Sequence, residues 1–73
     1  ITCTVDGTIT QSARLSDMIW SVPEIIAHLS GYVTLQAGDL IFTGTPAGVG
    51  PIQRGETCTV AIDGLSPAGV TLA

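Results

Sequence analysis

A glycine- and proline-rich segment, residues 43–51, contains the best candidates for chemistry in this sequence. Its nine residues, TGTPAGVGP, include three glycines and two prolines and follow an apolar run. Glycine lets the backbone adopt positive φ and approach a ligand closely, whereas proline stiffens a loop. Backbone N–H groups and the hydroxyls of Thr43 and Thr45 could together receive a carboxylate or phosphate. The residues alone leave two interpretations open, a structural turn and an anion-binding loop.

The common phosphate-binding motifs do not fit this segment. The chain has no lysine, so it has no Gly-Lys-Ser/Thr loop. The run Gly48-Val49-Gly50 continues into Pro51 rather than into a GxGxxG pattern. Nucleic acid is a poor candidate as a partner, because two arginines in a chain of net charge −4 cannot neutralise a row of phosphates.

The other titratable residues favour structural roles. His28 lies close to the apolar stripe of a predicted helix, with no partner near in sequence to orient it as a base. The acidic residues are scattered and form no Glu-x-Glu or Asp-x-Asp pair. Three of them adjoin glycine, as is typical of turns: Asp6, Asp39 and Asp63.

The cysteines and the tryptophan are also interpreted as structural. Cys3 and Cys58 lie in alternating β-like runs, and we expect buried free thiols rather than a disulfide framework. Neither has the neighbours needed for a metal site or an activated thiol nucleophile. Trp20 is expected in a core or an interface.

Short strands and one helix must position the candidate loop. Asp6-Gly7 between two β-prone runs predicts a hairpin of residues 1–5 and 8–12. Ser21 as N-cap and Glu24 three residues later predict a capping box that begins a helix over residues 22–30. Its apolar stripe has helical spacing: Val22, Ile25, Ile26 and Leu29.

Further strands are predicted in the second half. Residues 40–43 form a continuous apolar run, which predicts a central strand covered on both faces. Residues 56–62 alternate polar and apolar, which predicts a half-buried strand. Asp63-Gly64 is a second turn signal, and residues 69–72 could add another strand.

Size and composition indicate part of something larger. With 73 residues the chain can form one domain, and no apolar run approaches the roughly 20 residues of a membrane span. Charged residues make up 11%, whereas about 25% is usual for soluble domains. A chain this small must expose much of its surface, and few charged residues are present to cover that surface. We therefore expect a fragment, or a subunit with a large apolar contact. The alternative is a compact module coated with Ser, Thr and Gly.

Three strings of residues resemble one enzyme family. The strings SDMIWSVPEIIAHLS (residues 16–30), Thr34-Leu35 and GDLIFTGTPAGVGP (residues 38–51) resemble the C-terminal part of the fumarylacetoacetate hydrolase family. Trp20 and the ending GPIQRG (residues 50–55) are most similar to fumarylpyruvate hydrolases. The resemblance covers residues 6–65.

The resemblance implies a fold and an assembly. The expected fold class is mixed and β-rich (α+β), a partial β-sheet roll with one short helix. Residues 1–73 would be a single segment, the C-terminal portion of a larger catalytic domain of this family. The resemblance also implies a homodimer, and we expect a cytoplasmic protein of aromatic catabolism, without nucleic acid or membrane as partner.

The resemblance also implies a reaction. Family members use Mg²⁺ or Mn²⁺ to hydrolyse a C–C bond of acylpyruvates, which are 2,4-dioxo acids, and relatives isomerise or decarboxylate 2-oxo acids. The family's carboxylate metal ligands, its His–Glu pair and its lysine lie upstream of the region matched here. We therefore expect no catalytic residue and no metal ligand within this chain, and no activity from the isolated segment. A non-catalytic β-rich assembly module remains the alternative.

Two residues of the loop match substrate-binding positions of the family. The resemblance places Thr45 at the substrate, a small 2-oxo acid, where its hydroxyl and nearby N–H groups would hold a carboxylate oxygen. Gly44 would allow the close approach. His28 matches no catalytic position. At Arg14-Leu15 this chain departs from the Asn-Thr of many members, so this stretch supports no inference about the substrate.

Overall fold

A computed structural model describes all 73 residues, which form two compact units. The first comprises residues 1–14 and 45–73 and contains a β-sheet; the second comprises residues 15–44 and contains the one α-helix. The mixed β-rich class with one short helix is confirmed. The helix is too short to cross a bilayer.

The sheet of the first unit has four antiparallel strands. They are β1 (Thr2–Val5), β2 (Thr8–Ser12), β3 (Thr57–Ala61) and β4 (Ala68–Thr71). Their order across the sheet is β2-β1-β3-β4, so β1 and β3 are central. The predicted hairpin and the two predicted C-terminal strands are confirmed, each within two residues of the expected bounds.

The turn between β1 and β2 is also tied to β3. Asp6 and Gly7 both have positive φ, 49° and 81°, as a type I′ turn requires. The Asp6 N–H donates to the Thr57 carbonyl at 2.9 Å, and the Asp6 carboxylate accepts from the Thr57 N–H at 2.8 Å. Asp6 therefore fixes the hairpin turn and extends the contact with the neighbouring strand.

A β-bulge interrupts the hairpin within β2. Cys3 pairs with Gln11, but the next residue of β1, Thr4, pairs with Ile9, so Thr10 is the extra residue. The Thr10 hydroxyl donates to the Cys3 carbonyl at 3.2 Å. Paired residues share a face of a sheet, so the bulge puts Gln11 and Ile9 on opposite faces.

The helix of the second unit, α1 (Val22–Leu29), begins at the predicted capping box. The Ser21 hydroxyl accepts from the Glu24 N–H at 3.3 Å, and the Glu24 carboxylate accepts from the Ser21 N–H at 3.1 Å. The bond from the Ser21 backbone, followed by that from its side chain, lowers the pKa of Glu24. At the other end, the Ser30 N–H donates to the Ile26 carbonyl at 2.9 Å.

The predicted central strand at residues 40–43 is wrong for this chain. None of these residues is in a strand, and Leu40 and Phe42 are 85% and 94% exposed. A strand needs a neighbouring backbone for its ladder of hydrogen bonds, and the sheet of this chain is formed by four other segments. The ambiguous stretch before the helix contains one turn of 3₁₀ helix, Leu15–Asp17.

No residue of the chain is fully buried. The half-buried residues concentrate on β1 and β3, which is where the sheet has a neighbour on both sides. Large apolar side chains are exposed in both units, as the composition predicted. Among the most exposed in the second unit are Ile19, Tyr32, Leu40 and Phe42.

Replacing Ser21 tests the capping box. We expect Ser21→Ala to lower the unfolding free energy of the full-length protein by about 1 kcal/mol, because it leaves a helix N–H without its acceptor. Ser21→Asp, which keeps an acceptor at the N-cap, should restore most of the loss. Chemical denaturation of the three proteins measures this; equal stability of Ser21→Ala and wild type would contradict it.

Candidate functional site

The loop residue Thr45 is exposed and is attached to strand β2 by one side chain. The side-chain amide nitrogen of Gln11, Nε2, lies 2.7 Å from the Thr45 hydroxyl oxygen. The same nitrogen donates to the Pro46 carbonyl at 2.6 Å. All three residues belong to the first unit, so the sheet itself sets the position of the Thr45 hydroxyl.

Gly48 brings the loop against the same strand. A Cβ at this position would overlap the Thr10 carbonyl oxygen and would lie 3.0 Å from Cγ of Gln11. Gly48 also has a φ of 108°. The loop therefore rests on the bulge of β2 at a distance that only glycine permits.

Gly44 is required by its backbone conformation. Its φ is 90°, and a Cβ would meet no atom within 4 Å. The space beside Gly44 is thus open, and a side chain there would be strained rather than blocked.

The two cysteines lie on neighbouring central strands. Cys3 and Cys58 are free, and their sulfur atoms are 3.4 Å apart. The free thiols agree with the prediction, but burial does not, because both side chains are only half-buried. The hydrogen bond with Cys3, then desolvation and the charge of Cys3, raise the pKa of the Cys58 thiol. A raised pKa disfavours the thiolate, so Cys58 is a poor nucleophile.

His28 lies between two aromatic rings of the second unit. Its ring centroid is 4.9 Å from that of Trp20 and 5.3 Å from that of Tyr32, both in edge-to-face geometry. These contacts fit the structural role that the sequence predicts for His28. Trp20 and His28 border an apolar depression whose other lining residues are Ile25, Leu29, Ile41 and Phe42.

The acidic residues do not combine into a metal site. No group of three or more His, Cys, Asp or Glu side chains is close enough to hold a metal ion. Two carboxylates bond locally instead: Asp39 accepts from the Gln36 N–H at 2.8 Å, and Glu56 accepts from the Gln53 N–H at 2.6 Å. The residues of this chain therefore form no metal site of their own.

No sequence pattern singles out Gln11. Neither its residue type nor its place in a hairpin strand distinguishes it from the other polar strand residues. Its contact partners lie 34 and 35 residues further along the chain, so its role depends on a tertiary contact.

The fold and the loop together define a known class. The family model described as "Fumarylacetoacetate (FAA) hydrolase C-terminal" matches residues 1–73. The chain belongs to the fumarylacetoacetate hydrolase family.

Two relatives indicate the range of activities in the family. The chain is 48% identical to the mitochondrial oxaloacetate decarboxylase of Dictyostelium discoideum over 63 residues, 86% of this chain and 29% of that protein. It is 44% identical to the fumarylpyruvate hydrolase of a Ralstonia species over 68 residues, 93% of this chain and 35% of that protein.

A solved structure agrees in fold. The maleylpyruvate hydrolase from Sphingobium sp. SYK-6 superimposes with a TM-score of 0.92 and 37% identity, covering 97% of this chain and 27% of that protein. The chain thus spans about a third or less of the length of the relatives it matches.

Glycine replacements test the contact between the loop and β2. In the full-length protein we expect Gly48→Ala to reduce stability by roughly 1–3 kcal/mol, because its Cβ collides with backbone that cannot move aside cheaply. Gly44→Ala should reduce stability less, because an alanine there has a strained positive φ but no clash. Gly50→Ala is the matched control: its φ is not positive and the space is open. Equal unfolding midpoints for Gly48→Ala and Gly50→Ala would rule out the close approach.

The cysteine pair predicts a pH-dependent reactivity. Because its pKa is raised, Cys58 should stay protonated at neutral pH and be alkylated by iodoacetamide more slowly than an ordinary thiol. Removing the dominant cause with Cys3→Ala should lower the pKa and speed alkylation at about pH 8. Mass spectrometry of the Cys58 peptide follows the rate; an unchanged rate in Cys3→Ala contradicts the coupling.

Proposed function

We propose that this chain is the C-terminal part of a metal-dependent acylpyruvate hydrolase, which cleaves a C–C bond of a 2,4-dioxo acid such as fumarylpyruvate. Membership of the fumarylacetoacetate hydrolase family supports an enzyme. The chain is similar in sequence to a fumarylpyruvate hydrolase and similar in fold to a maleylpyruvate hydrolase. Both similarities support acylpyruvates as the substrate class.

The observation behind the proposal is the attachment of Thr45 to the sheet. Thr45 is an exposed residue, yet Nε2 of Gln11 lies 2.7 Å from its hydroxyl oxygen. A hydroxyl in a fixed position can donate to an anion at a lower entropic cost than a mobile one. We assign Thr45 to the carboxylate of the 2-oxo acid, with Gly44 leaving the approach open.

The proposed reaction uses water and releases pyruvate. Water adds to the carbonyl distant from the carboxylate, and the bond between that carbonyl and the CH₂ group breaks. The CH₂ carbon takes a proton and becomes the methyl group of pyruvate, while the other half leaves as a carboxylic acid. In this scheme Thr45 orients the half that becomes pyruvate.

The metal and the bond-breaking groups belong to the rest of the enzyme in this proposal. Mg²⁺ or Mn²⁺, held by carboxylates upstream of this segment, would supply Lewis-acid chemistry to the reaction. The isolated segment is accordingly expected to be inactive.

A second candidate is decarboxylation or isomerisation of a 2-oxo acid. It is favoured by the 48% identity to an oxaloacetate decarboxylase. Both substrate classes end in a 2-oxo carboxylate, so Thr45 would have the same role in each. Turnover of acetylpyruvate against oxaloacetate by the full-length enzyme separates the two, and preference for oxaloacetate would replace the hydrolase proposal.

The exposed apolar side chains are assigned to contacts within the enzyme. We propose that the rest of the catalytic domain and a second protomer cover the surface that includes Ile19, Leu40 and Phe42. A homodimer is part of this proposal. A non-catalytic assembly module would use the same surface, but it would not require the fixed hydroxyl of Thr45.

Thr45→Val tests the substrate contact, because valine keeps the shape and removes the hydroxyl. In the full-length enzyme we expect kcat/KM for acetylpyruvate to fall about 10- to 100-fold, mainly through KM, since a hydrogen bond to a charged group contributes roughly 1.5–3 kcal/mol. Thr45→Ser should retain most of the activity.

The matched control is Thr71→Val. Its hydroxyl lies 2.8 Å from that of Thr57, at the sheet edge opposite β2, and we expect unchanged kinetics. If Thr45→Val has the KM of the wild type while the control behaves as expected, Thr45 does not contact the substrate.

A further inference from the structure

We infer that Gln11 is a positioning residue: its side-chain amide fixes the direction in which the Thr45 hydroxyl donates its proton. The inference rests on the proposed function, because it names the group that aims Thr45 at a substrate carboxylate. Gln11 lies on strand β2, whereas Thr45 lies on the loop.

The orientation of the Gln11 amide follows from its second partner. The Pro46 carbonyl oxygen lies 2.6 Å from one end of this amide. A carbonyl oxygen can only accept, so the end facing it must be the NH₂ group. The assignment of nitrogen and oxygen in Gln11 is therefore decided by chemistry.

The same NH₂ group then determines what Thr45 can do. Its second proton lies toward the Thr45 oxygen, 2.7 Å away, so that oxygen accepts a bond. A hydroxyl that accepts from one side must direct its own proton elsewhere. Thr45 is thereby left as a donor pointing away from Gln11, which is the state that a carboxylate ligand needs.

Two backbone features keep Gln11 in place. The extra residue Thr10 in β2 puts Gln11 on the same face as Cys3, opposite to Ile9. Gly48 then rests against both the Thr10 carbonyl and Cγ of Gln11. The bulge and the glycine together bring strand and loop close enough for one amide to bridge Thr45 and Pro46.

Gln11→Met removes the two donors and retains the length of the side chain. In the full-length enzyme we expect KM for acetylpyruvate to rise about fivefold or more with kcat changed less, because the freed Thr45 hydroxyl can turn its proton away. Gln36→Met is the control, since Gln36 is an exposed glutamine of the second unit. It should leave KM and kcat unchanged.

A double-mutant cycle separates positioning from a general structural effect. If Gln11 acts through Thr45, Gln11→Met should raise KM in the wild-type background but not in a Thr45→Val background. Independent, multiplicative effects would overturn the inference. So would a wild-type KM in Gln11→Met, provided that Thr45→Val alone still raises KM.

The failure of the proposed function has a different signature. If Thr45→Val itself leaves KM unchanged, the assignment of Thr45 to the substrate fails, whatever Gln11→Met does. The thermal unfolding midpoint of every variant is recorded alongside, and Gln11→Glu tests the inference if the methionine variant does not fold.

Gln11→Glu adds a pH readout. At about pH 8 a glutamate here is ionised, can only accept, and would draw the Thr45 proton toward itself while repelling a substrate carboxylate. Protonation of this carboxylate restores one hydrogen-bond donor. We therefore expect the KM of Gln11→Glu, taken relative to wild type at the same pH, to fall at least threefold between about pH 8 and pH 5.5, where a glutamate beside an anion begins to protonate. If the ratio of the Gln11→Glu KM to the wild-type KM does not change with pH, Gln11 does not position the Thr45 hydroxyl.

Discussion

The close contact between a glycine-rich loop and a bulged strand is the constraint from which the candidate site follows. Gly48 meets the Thr10 carbonyl at a distance that no other residue type allows, and the same approach brings the Gln11 amide to Thr45 and Pro46. Without the contact between loop and strand, nothing in this chain would hold the side chain of Thr45. With the contact, Gln11 fixes the position and the direction of the Thr45 hydroxyl.

The sheet that supports this contact is itself only partly covered. Its central strands are half-buried, and no residue of the chain is fully buried. Hydrogen bonds made by single side chains stabilise individual elements within each unit. Asp6 joins the hairpin turn to Thr57, and Ser21 and Glu24 close the first turn of α1. These bonds fix single elements, whereas the apolar side chains of the chain are at most half-buried.

Membership of the fumarylacetoacetate hydrolase family gives this arrangement a chemical context. The matched relatives include a decarboxylase and hydrolases, and their names share substrates that contain a 2-oxo acid. A loop that receives the common carboxylate end would serve all of them. Our proposal for Thr45 would therefore hold for either reaction.

The sequence by itself determined the elements whose signals are local. Asp6-Gly7 defines the hairpin because few residue pairs tolerate two positive φ angles, and Ser21 with Glu24 defines the helix start because their bonds span three residues. It also singled out the loop around Thr45. Tertiary structure decided the rest: residues 40–43 are not a strand because a ladder needs a neighbouring backbone, and Gln11 reaches Thr45 because one extra residue, Thr10, changes its face. A contact between residues 34 positions apart leaves no local pattern, since it depends on the register of a sheet.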